Sequence, residues 1–100
     1  MTTQELKNAL IEKNHEADKV ERVTDKIENL SPDIREALEN WAKTDVFESP
    51  VYGGYDVKAI RKAQPTMTVL GAYLALDWLR RDPATAKMAI VRTKYVIRNR

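Results

Sequence analysis

The run of apolar residues from Met67 to Leu79 constrains the fold of this chain more than any other feature. It spans 13 residues and leaves almost no polar face. Crossing a bilayer takes about 20 consecutive apolar residues, so the run is too short for a membrane helix. A helix that is apolar on all sides is normally the buried centre of its domain. We therefore expect a buried helix over 66–81, with Leu74 and Trp78 in the core.

Length and composition limit what can surround this helix. One hundred residues with 43% hydrophobic content suffice for one core and not for two, which predicts a single helical domain over residues 1–100. The chain has no cysteine, which excludes disulfides, iron–sulfur clusters and thiol catalysis. No secretory signal is recognisable at the start of the chain. We expect a cytoplasmic protein, or the product of an intracellular element such as a phage.

Apolar periodicity predicts two helices in the first half of the chain. Residues 3–29 carry an apolar stripe at spacings of three, four and seven, which indicates a long amphipathic helix. The stripe is interrupted at 12–16, so residues 1–16 are expected to project from the core, to fray or to form a short helix of their own. The sequence Ser31-Pro32-Asp33 then combines a cap, a proline and an acid, which start a helix that runs to about residue 43.

The second half contributes three more predicted helices. Asp56 can cap a short helix over 57–63, and the apolar helix over 66–81 follows. The pair Asp82-Pro83 starts a last helix over about 83–97. The predicted fold is therefore all-α, a compact bundle of four to five helices.

The segment 46–57 is the irregular part of the chain. Its Gly53-Gly54 pair fits a two-residue turn, because glycine accepts the positive φ that such turns require. A minimal β-hairpin and an ordered loop therefore fit the segment equally. The aromatic residues Phe47, Tyr52 and Tyr55 lie in or beside it, either as a lid on the core or as a contact surface.

The sequence offers little catalytic chemistry. His15 is the only histidine and is predicted to lie on an exposed turn, with no third ligand to form a metal site. We therefore expect no enzymatic activity, no metal and no cofactor. Asp77 is the one acid inside the apolar run, and we expect it to pair with Arg80 or Arg81 one turn later.

Charge is divided unevenly along the chain. The overall net charge is +2, with −5 over residues 1–50 and +7 over residues 51–100. Complementary surfaces of this kind act within a fold, between copies or towards a charged partner, so a homo-oligomer is one interpretation.

Two hypotheses for function follow. The first is a non-catalytic protein-interaction module: an adaptor, regulator, inhibitor or assembly subunit. Its contact residues would be the loop aromatics and a stripe on the last helix: Phe47, Tyr52, Tyr55, Lys87, Val91, Lys94 and Arg98.

The second hypothesis is nucleic-acid binding by a helix-turn-helix formed from 57–63 and 66–79. Because helix 66–79 has few polar side chains, contacts to the nucleic-acid backbone are favoured over base recognition. The residues involved would be Thr66, Thr68, Arg80, Arg81, Lys87, Lys94 and Arg98. Neither hypothesis involves a membrane.

Overall fold

The mostly helical chain that the sequence predicts is confirmed. The computed structural model describes the backbone of residues 1–98 and the side chains of residues 1–90, and this part contains seven α-helices and no strand. The helices are α1 (Thr3–Glu12), α2 (Ala17–Arg22), α3 (Thr24–Glu28), α4 (Pro32–Thr44), α5 (Val57–Ala63), α6 (Val69–Arg81) and α7 (Pro83–Arg98).

The long N-terminal helix predicted over 3–29 is divided into α1, α2 and α3. Thr2 caps α1 by accepting a hydrogen bond from the Glu5 amide, and the Glu5 side chain returns a bond to Thr2. The chain leaves α1 where the apolar stripe is interrupted, and Asn14 there has a φ of +73°. Leu6 and Leu10 are fully buried. Residues before the interruption therefore form a short helix whose apolar side chains pack into the core.

Helix α6 lies at the centre of the packing. Its main contacts are with α4, α5 and α7. Tyr73, Leu76 and Leu79 point into these contacts and are buried. At the far end of α5, the Gln64 side-chain amide donates to the Ile90 carbonyl over 3.1 Å, which holds α7 against α5.

The start of α4 is connected to the end of α6 by a buried acid. Ser31 does not use its hydroxyl as the expected helix cap; the hydroxyl donates to Asp77 Oδ1 over 2.8 Å, and the Ser31 amide donates to the same atom over 3.2 Å. The Arg81 guanidinium pairs with Asp77 Oδ2. The predicted ion pair of Asp77 is confirmed with Arg81, and both carboxylate oxygens are satisfied although the side chain is only 1% exposed.

The loop before α5 contains the predicted two-residue turn. Tyr52 and Tyr55 exchange two backbone hydrogen bonds of 2.9 Å, forming a single antiparallel bridge. Gly53 and Gly54 have φ values of +58° and +85°, the conformation that favours glycine at both positions. No strand extends the bridge within residues 1–98, so the segment is an ordered turn and not a hairpin with strands.

Candidate protein-binding groove

The three loop aromatics lie on the helical core. Phe47 packs against the Trp41 ring at a centroid distance of 5.9 Å. The Tyr52 hydroxyl donates to an Asp33 carboxylate oxygen, and this bond is the main cause of the lowered pKa of Asp33. Tyr55 is partly buried against the same core. All three rings are partly buried against the core, and their use as a contact surface stays a prediction.

Of the contact stripe predicted on the last helix, the structure describes only the side chain of Lys87. Lys87 is exposed, and its aliphatic stem lies against the turn, where a Cβ added to Gly53 would be 3.4 Å from Lys87 Cδ. Val91, Lys94 and Arg98 fall outside the residues whose side chains are described.

Three of the residues predicted to bind nucleic acid make contacts within the fold. The Thr68 hydroxyl caps α6 by accepting from the Gly71 amide over 3.0 Å. The Arg80 guanidinium lies 5.8 Å from the Tyr52 ring centroid, and Arg81 pairs with Asp77 as described. Thr66 is exposed. Of this set, α6 carries Arg80 and Arg81 in its last turn and Thr68 as its cap, and the side chains of Lys94 and Arg98 lie outside the described residues.

The expectation that α6 is buried on all sides, with Trp78 in the core, is wrong. The Trp78 side chain is 41% exposed, and Leu74 one turn earlier is only partly buried. The physical reason is that α4, α5 and α7 cover the other sides of α6, whereas the short helices α2 and α3 reach only the border of this side. The uncovered residues form what we call the α6 groove, with a floor of Met67, Gly71, Leu74, Ala75 and Trp78.

The groove has a narrower and a wider part, which meet at Gly71 and Leu74. The narrower part has a volume of about 370 Å³ and is bordered by Val20 and Val23. The wider part has a volume of about 750 Å³ and contains Trp78. A rise of 1.5 Å per residue gives the α6 side of the groove a length of roughly 20 Å.

Gly71 does not pack against another backbone. A Cβ added there would be 3.1 Å from the side chains of Met67 and Thr68 in the preceding turn. Because Gly71 has no side chain, it leaves space at the point where the two parts of the groove meet.

Basic side chains surround the groove. Lys13 and Lys19 border the narrower part, and Lys26 and Arg81 border the wider part. Lys13 pairs with Asp45, and Lys19 lies 3.4 Å from Glu16, the one carboxylate that lines the groove. Lys26 forms no ion pair with any residue of the described part.

His15 lies at the narrow end of the groove, and the prediction that it is an exposed side chain is wrong. Its ring meets the Trp41 ring edge-on at 5.9 Å, and Lys13 Nζ lies 4.9 Å from the same Trp41 ring. Desolvation by these neighbours lowers the pKa of His15 below its ordinary value. Across the described residues, no group of three acid, histidine or cysteine side chains is placed to hold a metal ion.

Comparison of the chain with protein-family models, with curated proteins and with solved structures finds no match. Over residues 1–98, no helix has both the length and the apolar character needed to span a membrane. The residues of the groove therefore have to be interpreted from their own chemistry.

Sequence reasoning missed the groove, although the absence of a polar face on α6 was the signal for it. An apolar helix needs to be buried on more sides than its neighbours in the chain cover.

Proposed function

We propose that this chain is a non-catalytic protein-interaction module and that the α6 groove binds an apolar helix of a partner protein. The observation that carries the proposal is the exposed side chain of Trp78 within a continuous apolar floor. Contiguous apolar surface with a polar border is typical of interaction sites. Tryptophan is enriched among the residues that contribute most binding energy.

The walls of the groove favour a helix as the occupant. They are helices whose backbone groups are already hydrogen-bonded internally, and the described residues offer no sheet edge to which a strand could be added. A helix satisfies its own backbone hydrogen bonds and so needs none from such walls. Apolar side chains at i, i+4 and i+7 extend over about 10 Å of a helix, which the groove can accommodate along its length.

A neutral probe helix tests the proposal. The probe is a fluorescein-labelled peptide of about 16 residues, with leucine at i, i+4 and i+7 and with alanine and glutamine elsewhere. We expect Trp78→Ser to weaken binding at least tenfold, about 1.4 kcal/mol, while circular dichroism shows a folded chain. Met88→Ser is the control, because Met88 is 61% exposed and does not line the groove. Equal affinity of the native chain and Trp78→Ser would contradict the proposal.

A second copy of the chain is the competing occupant. Sedimentation velocity on the native chain separates the two cases, because the proposal expects a monomer. A dimer that becomes monomeric in Trp78→Ser would assign the groove to self-association and overturn the proposal.

The basic side chains of α5 and α7 favour nucleic-acid binding as a second candidate function. Lys58, Lys62 and Lys87 are exposed, and no ion pair joins them to another described residue. Exposed lysines of this kind would contact phosphates, with an affinity that falls log-linearly with salt. The test is the affinity for a DNA duplex of the native chain and of the variant with all three lysines changed to glutamine. Equal, weak binding by both would exclude this candidate.

A further inference from the structure

We infer that the partner helix carries carboxylates at the end that lies beside Trp78. This inference rests on the proposed function and adds the charge of the partner and its position in the groove. Two cations line the wider part together with Trp78: Lys26 from α3 and Arg81 from α6.

Both cations are available to a ligand. Lys26 is exposed and has no ion-pair partner among the described residues. The Arg81 side chain is 56% exposed. Its bond to Asp77 uses only part of the guanidinium, which has five N–H donors.

No carboxylate borders the wider part of the groove. Asp77 pairs with Arg81 beneath the surface, and Asp25 and Asp82, the sequence neighbours of the two cations, do not line the groove. Lys26 is therefore the cation of this end that no ion pair within the described residues compensates, which favours an anion beside it.

The narrower part lacks this preference. Lys19 is compensated by Glu16, and Lys13 is compensated by Asp45. A partner gains from negative charge at the Trp78 end alone, and Lys19 provides a matched control for Lys26 because both are exposed lysines on the border of the groove.

Three probe helices with the same leucines test the inference. One carries glutamates in its terminal turns, one carries lysines there and one is the neutral probe. Because exposed ion pairs are individually weak, we expect the glutamate probe to bind about twofold to fivefold more tightly than the neutral probe. The lysine probe should bind more weakly than the neutral probe. The advantage of the glutamate probe should decrease as salt rises.

The variant Lys26→Gln locates the effect. It should remove much of the glutamate preference, whereas Lys19→Gln should leave that preference in place. The preference is the ratio of the affinities of the glutamate and neutral probes, measured on the same variant. Equal affinities for all three probes would overturn the charge inference and leave the proposed function standing. Tighter binding of the lysine probe, or equal effects of the two lysine variants, would also overturn it. Failure of every probe to bind would count against the proposed function itself.

Discussion

The two faces of α6 have the same chemistry and different surroundings. Leu76 and Tyr73 point towards α4, α5 and α7 and are fully buried, whereas Leu74 and Trp78 on the opposite face retain contact with solvent. The inner face is apolar because it is buried in the core. In our proposal, the outer face is apolar because it binds a partner. A helix that is apolar on all sides therefore needs other helices to bury every side. Its sequence does not show whether those helices belong to the same chain or to a partner.

A matched pair of leucine variants should give the largest difference between the faces. Leu76→Ala should cost about 2–5 kcal/mol of the free energy of unfolding, because it leaves a cavity in the core. Leu74→Ala should cost clearly less, since solvent can fill the space. Urea denaturation of both variants measures the difference, and equal losses would show that the two faces are equally buried.

The buried acid on the inner face gives the next effect. Asp77→Ala should cost about 3 kcal/mol, because it leaves Arg81 and the buried Ser31 hydroxyl without their partner. Adding Ser31→Ala to this variant should cost little more, since the interaction is already lost. Additive losses in urea denaturation would mean that Ser31 and Asp77 act independently.

His15 should make stability depend on pH at the narrow end of the groove. The folded pKa lies below the unfolded value of 6.5. The desolvation cost is therefore absent well above pH 6.5 and appears as pH falls through 6.5 towards the folded pKa. The charged groups that face this end of the groove with His15 are Lys13, Glu16 and Lys19, and Lys13 is paired with Asp45. Chemical denaturation at a series of pH values should show that His15→Gln reduces the acid-side loss; an unchanged profile would exclude His15 as its source.

The smallest effect is expected for the hydroxyl of Tyr73. The hydroxyl is buried, has no hydrogen-bond partner among the described residues, and burial raises the pKa of Tyr73 to about 12. Tyr73→Phe should therefore leave stability unchanged or increase it by up to about 1 kcal/mol. A loss greater than 1 kcal/mol in thermal denaturation would reveal a partner for the hydroxyl.

Much of the helical framework could be predicted because it depends on local signals. The cap Asp56 and the following α5 lie where the sequence places them, since the Asp56 side chain accepts from the Ala59 amide over 2.8 Å. Ser31 could not be predicted in the same way. Its hydroxyl binds Asp77, which is 46 residues away, and no local pattern reports such a contact.

The groove could not be predicted for a related reason. Trp78 and Leu76 are both apolar residues of one helix, and only the arrangement of the other helices decides which of them is covered. The interruption at 12–16 allowed a separate short helix before it, but the sequence indicated neither the further break between α2 and α3 nor that these two helices would border the groove and leave it open.

The most direct test of the account is a map of the residues that the glutamate probe contacts. Amide proton–nitrogen correlation spectra recorded during a titration should show shifts at Gly71, Leu74, Ala75 and the Trp78 indole, with smaller shifts at Lys26 and none at Lys58 or Lys62. Shifts confined to α5 and α7, or a bound state in which α6 is unperturbed, would contradict the claim that the open face of α6 is the binding surface.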